Sequence, residues 1–126
     1  MADQLPKPVE WISSCRDDLK SFPREVRETM GEALYAAQLG GEHHRAKALH
    51  GFGGRGVLEI VDDFDGDAYR AIYTVRFSGL VYALHAFQKK SKRGIKTPGA
   101  VLDLIRQRLK AAEAHYAANH AKEPRS

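Results

Sequence analysis

Residues 57–88 decide the fold, and they have the sequence VLEIVDDFDGDAYRAIYTVRFSGLVYALHAFQ. Aromatic and β-branched residues alternate with other side chains along this stretch, which is typical of strands in a half-buried sheet. Asp65-Gly66 and Ser78-Gly79 are tight-turn signals that divide it. The sequence therefore predicts three consecutive antiparallel strands, over Val57–Val61, Tyr69–Phe77 and Leu80–Gln88.

The segments on both sides of these strands predict one further strand and three helices. Val9–Ile12 favours a first strand, and a short helix is expected after Ser14. A second helix is expected from Pro23 to Gly40-Gly41, and a last helix after Thr97-Pro98. Apolar residues at helical spacing are Val26, Met30, Leu34 and Ala37 in the second helix and Leu102, Ile105, Leu109 and Ala112 in the last.

This order of elements predicts an α+β fold. We expect a small antiparallel sheet, an N-terminal helical hairpin packed on it and a C-terminal helix, with the helices on one face. A long loop, Gly40–Gly56, connects the second helix to the sheet. The length of 126 residues suits a single domain over residues 1–126.

Composition excludes several classes of protein. Cys15 is the single cysteine, which rules out an internal disulfide and a cysteine-based zinc site. No apolar run reaches the roughly 18 residues of a membrane span, and residues 1–10 lack the apolar core of a secretory signal. We therefore expect a cytoplasmic protein that does not contact membranes.

Charge supplies the first indication of function. The formal net charge is +4, and one block of basic residues contains no acid. Its members are Lys89, Lys90, Lys92, Arg93 and Lys96. Such a block favours a polyanionic partner, because each Lys or Arg near a phosphate releases condensed counterions. The alternative is an ordinary solvated loop.

Strand pairing predicts a polar cluster on one face of the sheet. Two-residue turns give the cross-strand pairs Phe77–Leu80, Arg76–Val81, Tyr73–Leu84, Ile72–His85, Ala71–Ala86, Arg70–Phe87 and Glu59–Ile72. Glu59, Arg70 and His85 then lie on the less apolar face, and Lys89 continues it at the strand end.

This cluster suits RNA cleavage without a metal, because RNA carries its own nucleophile, the 2′-hydroxyl group. Arg70 and Lys89 could stabilise the extra negative charge on phosphorus. His85, with an ordinary pKa of about 6.5, could act as acid or base. Glu59 could be a base or could orient Arg70. The alternatives are a structural Glu59–Arg70 ion pair and a half-buried strand histidine.

Neither a metal site nor another cofactor site is predicted. His43, His44 and His50 share one loop, but only Glu42 is a nearby acid. The glycine-rich segment Gly51–Gly56 lacks the Gly-Lys-Ser/Thr ending of a phosphate-binding loop.

Five segments match a known family: Lys47–Gly51, Leu58–Ile60, Asp67–Tyr73, Tyr82–Pro98 and Ile105–Leu109. The part from Phe87 to Pro98 is the most specific of them. On these residues the chain resembles, over about Val9–Leu109, the phage-derived Gp49-like, HigB-type branch of the RelE/ParE toxin superfamily.

The resemblance implies the toxin of a type II toxin–antitoxin pair. It implies an endoribonuclease that cleaves mRNA in the ribosomal A site, and an Xre-type helix-turn-helix antitoxin that recruits the toxin to operator DNA. Arg70 matches the family's Tyr-Arg motif, and Lys89 and Lys90 match its Phe-x-Lys-Lys motif. With the basic block, the expected RNA-binding residues are Lys47, Lys90, Lys92, Arg93 and Lys96.

The middle strand departs from the pattern of the family. Many of them have Glu-Leu-Arg in the middle strand, where this chain has Glu59-Ile60-Val61. RelE-type members often use a C-terminal tyrosine or arginine, for which Tyr116 is a candidate. ParE members share the fold and inhibit gyrase, so a non-enzymatic gyrase inhibitor remains an alternative. A second alternative is an inactive relic that binds only antitoxin and operator DNA.

Overall fold

A computed structural model of the chain describes residues 5–53, 56–89 and 99–119. Its elements, in chain order, are β1 (Val9–Trp11), α1 (Cys15–Lys20), α2 (Arg24–Gln38), β2 (Ala46–Ala48), β3 (Val57–Phe64), β4 (Asp67–Thr74), β5 (Val81–Lys89) and α3 (Gly99–Asn119). The predicted α+β order is confirmed. The long loop predicted over Gly40–Gly56 contains one additional short strand, β2.

The five strands form one sheet in the order β1-β5-β4-β3-β2. β1 is parallel to β5, and the other neighbours are antiparallel. The N–H of Val81 donates to Pro8 O at 3.1 Å, and the N–H of Ile12 donates to Ala83 O at 3.0 Å. These bonds attach the N-terminal strand to the first three residues of β5.

Helices cover both faces of the sheet, so the expectation that they share one face is wrong. Successive strand residues point to opposite faces. Leu58 and Ile60 of β3 pack in the cluster with α1 and α2, whereas Val57 packs in the cluster with α3. The face toward α3 is therefore the one that carries Glu59. Its apolar cluster includes Ile72, Tyr82 and Leu84 from the sheet and Ile105 and Ala112 from α3.

The β3–β4 hairpin has the predicted register. Phe64 lies opposite Asp67, and Asp65 and Gly66 form the two-residue turn with φ values of +54° and +87°. Positive φ at both central positions gives the type I′ geometry that matches strand twist. The predicted pair Glu59–Ile72 is confirmed.

The β4–β5 pairing agrees with the prediction at one end only. Ile72–His85, Ala71–Ala86 and Arg70–Phe87 are paired as expected, but a bulge places Tyr73 opposite Ala83. The predicted pairs Tyr73–Leu84 and Arg76–Val81 are wrong. β4 ends at Thr74 because the chain then turns toward the loop before β3, where the N–H of Val75 donates to Gly56 O at 3.0 Å. The bulge adds one residue to β5 relative to β4.

Candidate functional site

Three predicted site residues lie in one row across the sheet. Lys47 of β2 is opposite Glu59, Glu59 is opposite Ile72, and Ile72 is opposite His85. Directly opposite residues share a face, so Lys47, Glu59 and His85 all project from the face toward α3. The short strand β2 is what brings Lys47 into this row, and no sequence pattern indicated it.

Glu59 and Arg70 form a buried ion pair. Arg70 Nη1 donates to Glu59 Oε2 at 2.6 Å, and the two residues are only 6% and 4% exposed. They are diagonal neighbours, because Arg70 is opposite Val61, two residues along β3 from Glu59. The short distance and the burial support the structural alternative for this pair. Arg70 lies on the predicted face of the sheet and is buried there.

His85 is held by α3. Arg108 Nη1 lies 3.0 Å from Leu84 O and 3.1 Å from His85 Nδ1. A guanidinium has only donors, so Nδ1 accepts this bond and the neutral ring carries its proton on Nε2. Burial lowers the pKa of His85, and the charge of Arg108 lowers it further, against a smaller opposing effect of Asp18.

His85 also contacts an aromatic side chain. The ring of His85 stacks on Phe87 with 5.0 Å between centroids and 19° between planes. Both residues are half-buried. The stacked imidazole of His85 and phenyl ring of Phe87 together present a flat surface, to which the neutral imidazole adds one N–H donor.

The remaining predicted residues fall into two groups. Lys89 is the last residue of β5, opposite Ala68, and is half-buried, whereas Lys47 is exposed. Four predicted RNA-binding residues lie outside the described residues: Lys90, Lys92, Arg93 and Lys96.

Tyr116 does not join the predicted site. Its hydroxyl donates to Ser78 O at 3.0 Å, and its ring packs on Phe77 with centroids 5.2 Å apart. Ser78 precedes β5, whereas Lys89 ends it, so these two residues are at opposite ends of the strand. Tyr116 therefore connects α3 to the turn between β4 and β5 through this hydrogen bond and ring contact.

Sequence reasoning missed Arg108. Ile105, Leu109 and Ala112 form the apolar stripe of α3, and Arg108 lies beside this stripe. A basic residue next to an apolar stripe is ordinarily solvated, so its spacing gives no signal of a contact with His85. The contact between Arg108 and His85 forms because α3 extends across the sheet as far as β5.

The described residues support neither a metal site nor a cysteine nucleophile. Within residues 5–53, 56–89 and 99–119, no group of three or more His, Cys, Asp or Glu is placed to hold a metal ion. Cys15 is buried, and burial raises the pKa of its thiol to about 12, which disfavours a thiolate nucleophile.

The family of phage-derived Gp49-like proteins matches residues 17–110. This range includes β2 to β5 and every predicted site residue. The chain belongs to this family. The resemblance that the sequence motifs indicated is thus confirmed at the level of the Gp49-like proteins.

Solved structures show which fold this Gp49-like protein has. It is similar to the free E. coli toxin RelE, solved as a variant with two arginines replaced by alanine, with a TM-score of 0.58 and 13% identity. That match covers 83% of this chain and 99% of RelE. The fold is therefore RelE-like.

A weaker match is the toxin–antitoxin complex RelBE2 from Mycobacterium tuberculosis, with a TM-score of 0.45 and 17% identity over 72% of this chain and 100% of that chain. No curated protein sequence matches the chain. Among the described helices, none has the length and apolar character needed to cross a membrane.

Proposed function

We propose that this Gp49-like protein is the toxin of a type II toxin–antitoxin pair and cleaves mRNA on the ribosome. The observation that carries the proposal is the row of Lys47, Glu59 and His85, with Arg70 and Lys89 beside it, on one face of a RelE-like sheet. Membership of the Gp49-like family supports it as well. The HigB-type assignment within that family is part of the proposal.

The proposed reaction uses only groups of the RNA and of this chain. The 2′-hydroxyl oxygen attacks the adjacent phosphorus, the P–O5′ bond breaks, and a 2′,3′-cyclic phosphate forms. One proton leaves the 2′-oxygen and one reaches the departing 5′-oxygen. No metal or other cofactor is needed for this balance.

Lys89 is the proposed electrostatic catalyst. Arg70 is engaged with Glu59 at 2.6 Å, so the positive charge of Arg70 is largely compensated within the pair. Lys89 lies at the end of the same face, and its ammonium group can stabilise the negative charge that develops on phosphorus. Lys47 and the basic residues Lys90, Lys92, Arg93 and Lys96 are proposed to bind the RNA backbone.

His85 is the proposed proton-transfer group, and the structure sets a condition on that role. In the observed arrangement Nδ1 accepts from Arg108, so Nε2–H can donate a hydrogen bond to a phosphate or leaving oxygen. Acting as a base at Nε2 requires the other tautomer, whose Nδ1–H would face the Arg108 donor. Proton uptake at His85 is therefore coupled to release of Arg108.

The proposed partners are an Xre-type helix-turn-helix antitoxin and, through their complex, operator DNA. In the cell the target is the translating ribosome, which places the protein in the cytoplasm. We expect that induced expression stops growth and that co-expression of the antitoxin restores it. Normal growth while full-length protein accumulates would rule out a toxin.

Cleavage is tested with purified protein, programmed ribosomes and mapping of mRNA 5′ ends. We expect cuts in the A-site codon, and a 2′-deoxy substitution at the scissile nucleotide should abolish them. Lys89→Ala should slow cleavage about 100-fold, which is typical of removing one group that stabilises developing charge. The matched control is Lys20→Ala, which removes an exposed lysine at the end of α1.

The outcomes separate the candidate functions. Intact mRNA together with blocked gyrase supercoiling would replace the endoribonuclease by a ParE-like inhibitor. Antitoxin binding without either activity would leave the inactive relic. Equal cleavage by wild type, Lys89→Ala and Lys20→Ala would remove Lys89 from the site.

A further inference from the structure

A groove lies where β5 runs beyond its parallel partner. β1 pairs with β5 only as far as Ala83, and among the described residues no other strand pairs along the outer side of residues 85–88. The end of α1 and the α1–α2 junction form the opposite wall. The groove has a volume of about 580 Å³, within the range of small-molecule sites. Its lining includes Asp18, Phe22, Tyr69, His85, Phe87 and Gln88.

The groove has an aromatic lining. Phe22 and Tyr69 meet edge to face with ring centroids 5.0 Å apart, and each is nearly buried. His85 and Phe87 are stacked on each other and half-buried. Aromatic and histidine rings are the groups on which proteins stack unpaired RNA bases.

Among the described residues, the charged group that lines the groove is the carboxylate of Asp18, which disfavours phosphate as the ligand. None of the described lining residues is Lys or Arg. The carboxylate of Asp18 is fixed by Ser14, whose Oγ donates to Asp18 Oδ2 at 2.8 Å. A further acid, Asp67, accepts from Gln88 Nε2 at 2.7 Å beside the groove. The carboxylates and the aromatic rings together fit a planar ligand that presents N–H donors.

The groove is continuous with the proposed cleavage site. His85 belongs to both, and Phe87, which lines the groove, is directly opposite Arg70. A nucleotide whose phosphate lies near Lys89 can therefore place its base on the acidic side of β5. Negative charge in the groove and positive charge at the sheet end match the two parts of a nucleotide.

We propose that this groove binds an RNA base, and that the base is guanine. Guanine carries two adjacent donors on its pairing edge, N1–H and the 2-amino group, and a carboxylate accepts both at once. Such charge-assisted paired bonds are the stronger class of hydrogen bond. Uracil offers one N–H between two carbonyls, and a carboxylate repels those carbonyls. The assignment to a substrate base rests on the proposed function, whereas nucleotide binding itself does not.

The test is a titration of the whole protein, followed by two-dimensional amide NMR, with guanosine, inosine and uridine monophosphates. These ligands share the phosphate, so differences between them report the base. We expect guanosine monophosphate to shift the amides of Asp18 and of residues 85–88. Inosine monophosphate lacks only the 2-amino group and should bind about tenfold more weakly, the equivalent of one such hydrogen bond.

Two variants of α1 make a matched pair. Asp18→Asn keeps the size of the side chain and should abolish the preference for guanosine over inosine monophosphate. Asp17→Asn removes the same charge from the exposed neighbouring position, which does not line the groove, and should keep the preference. Unchanged amide dispersion in both spectra shows that the variants are folded.

Several results would overturn the base site. They are equal affinity for guanosine and uridine monophosphates, shifts confined to the surroundings of Lys47 and Lys89, or a preference unaffected by Asp18→Asn. Tighter binding of N-acetylargininamide at the same amides would assign the groove to a basic peptide instead. Ribosome cleavage is measured separately, so cleavage without base selectivity refutes this site and leaves the proposed function intact. Selective binding of guanosine monophosphate without cleavage supports this site and refutes the proposed endoribonuclease activity.

Discussion

The two ends of the sheet face toward α3 are built on different physical principles. At the end near the β4–β5 turn, Phe77, Tyr82 and Tyr116 pack as an aromatic group within the apolar cluster that also contains the fully buried Ile105 of α3. At the other end, Glu59 and Arg70 are just as buried but charged. One continuous pleated surface thus changes from an apolar core to an ion pair within a few residues of each strand.

The two ends differ in what their burial contributes to stability. Burial of apolar area stabilises a fold without requiring exact partners. A buried ion pair rarely stabilises more than apolar residues of the same size, because desolvating two charges offsets their attraction. A fold that needed only stability would be served by apolar residues at positions 59 and 70. Variants at each end can separate a contribution of the ion pair to stability from a role in function.

The largest effect is expected at the charged end. Arg70→Ala leaves Glu59 buried and without its 2.6 Å partner, and should lower the free energy of unfolding by about 4 kcal/mol. Denaturant unfolding followed by circular dichroism measures this. A loss of under about 1 kcal/mol would show that the pair is not buried in solution.

Because Arg70→Ala is destabilising, loss of toxicity in that variant would not identify a catalytic role. The double variant Glu59→Leu, Arg70→Met removes both charges and should be close to wild type in stability. If it folds and is no longer toxic, the pair acts in function. If it folds and remains toxic, the ion pair has a structural role only, and the difference between the two ends is unrelated to function.

The apolar cluster between α3 and the sheet should respond to cavity formation with a somewhat smaller loss of stability. Ile105→Ala removes a side chain that is 0% exposed between α3 and the sheet, and should cost about 3 kcal/mol of unfolding free energy. Lys110→Ala, at an exposed position of the same helix, should change stability by less than about 0.5 kcal/mol. Equal stabilities of Ile105→Ala and Lys110→Ala would mean that α3 does not pack on this face.

The same contrast explains what could be predicted from the sequence. Alternation and the Asp65-Gly66 turn determine the β3–β4 hairpin, because a type I′ turn admits one register; the pair Glu59–Ile72 followed from this. Ser78-Gly79 did not determine the second hairpin in the same way. Side-chain period alone gives no sign of a one-residue bulge, so Tyr73 was assigned a wrong partner.

Contacts between distant elements were the other missing information. β2 has the sequence Ala-Lys-Ala, without any β-branched residue, and it is a strand only because β3 pairs with it. Arg108 reaches His85 only because α3 crosses the face opposite α2. Burial of Arg70 depends on the same tertiary packing. Residue types indicated a candidate chemistry, and packing determined which of the charged groups are buried.

The smallest effect is expected at the boundary between the two ends, where His85 meets Arg108. In the unfolded chain the pKa of His85 is about 6.5, and in the folded protein burial and Arg108 lower it. Between these two values the unfolded chain binds more protons than the folded one, so stability rises with pH across this window. The contribution is complete above the unfolded pKa and is lost as the pH falls through the folded pKa.

His85→Gln keeps an acceptor for Arg108 and cannot be protonated. Its free energy of unfolding should therefore depend less steeply on pH, as the pH falls below about 6.5, than that of wild type. Parallel curves for wild type and His85→Gln would show that His85 is not buried against α3, and the coupling proposed between Arg108 release and proton transfer would fail with it.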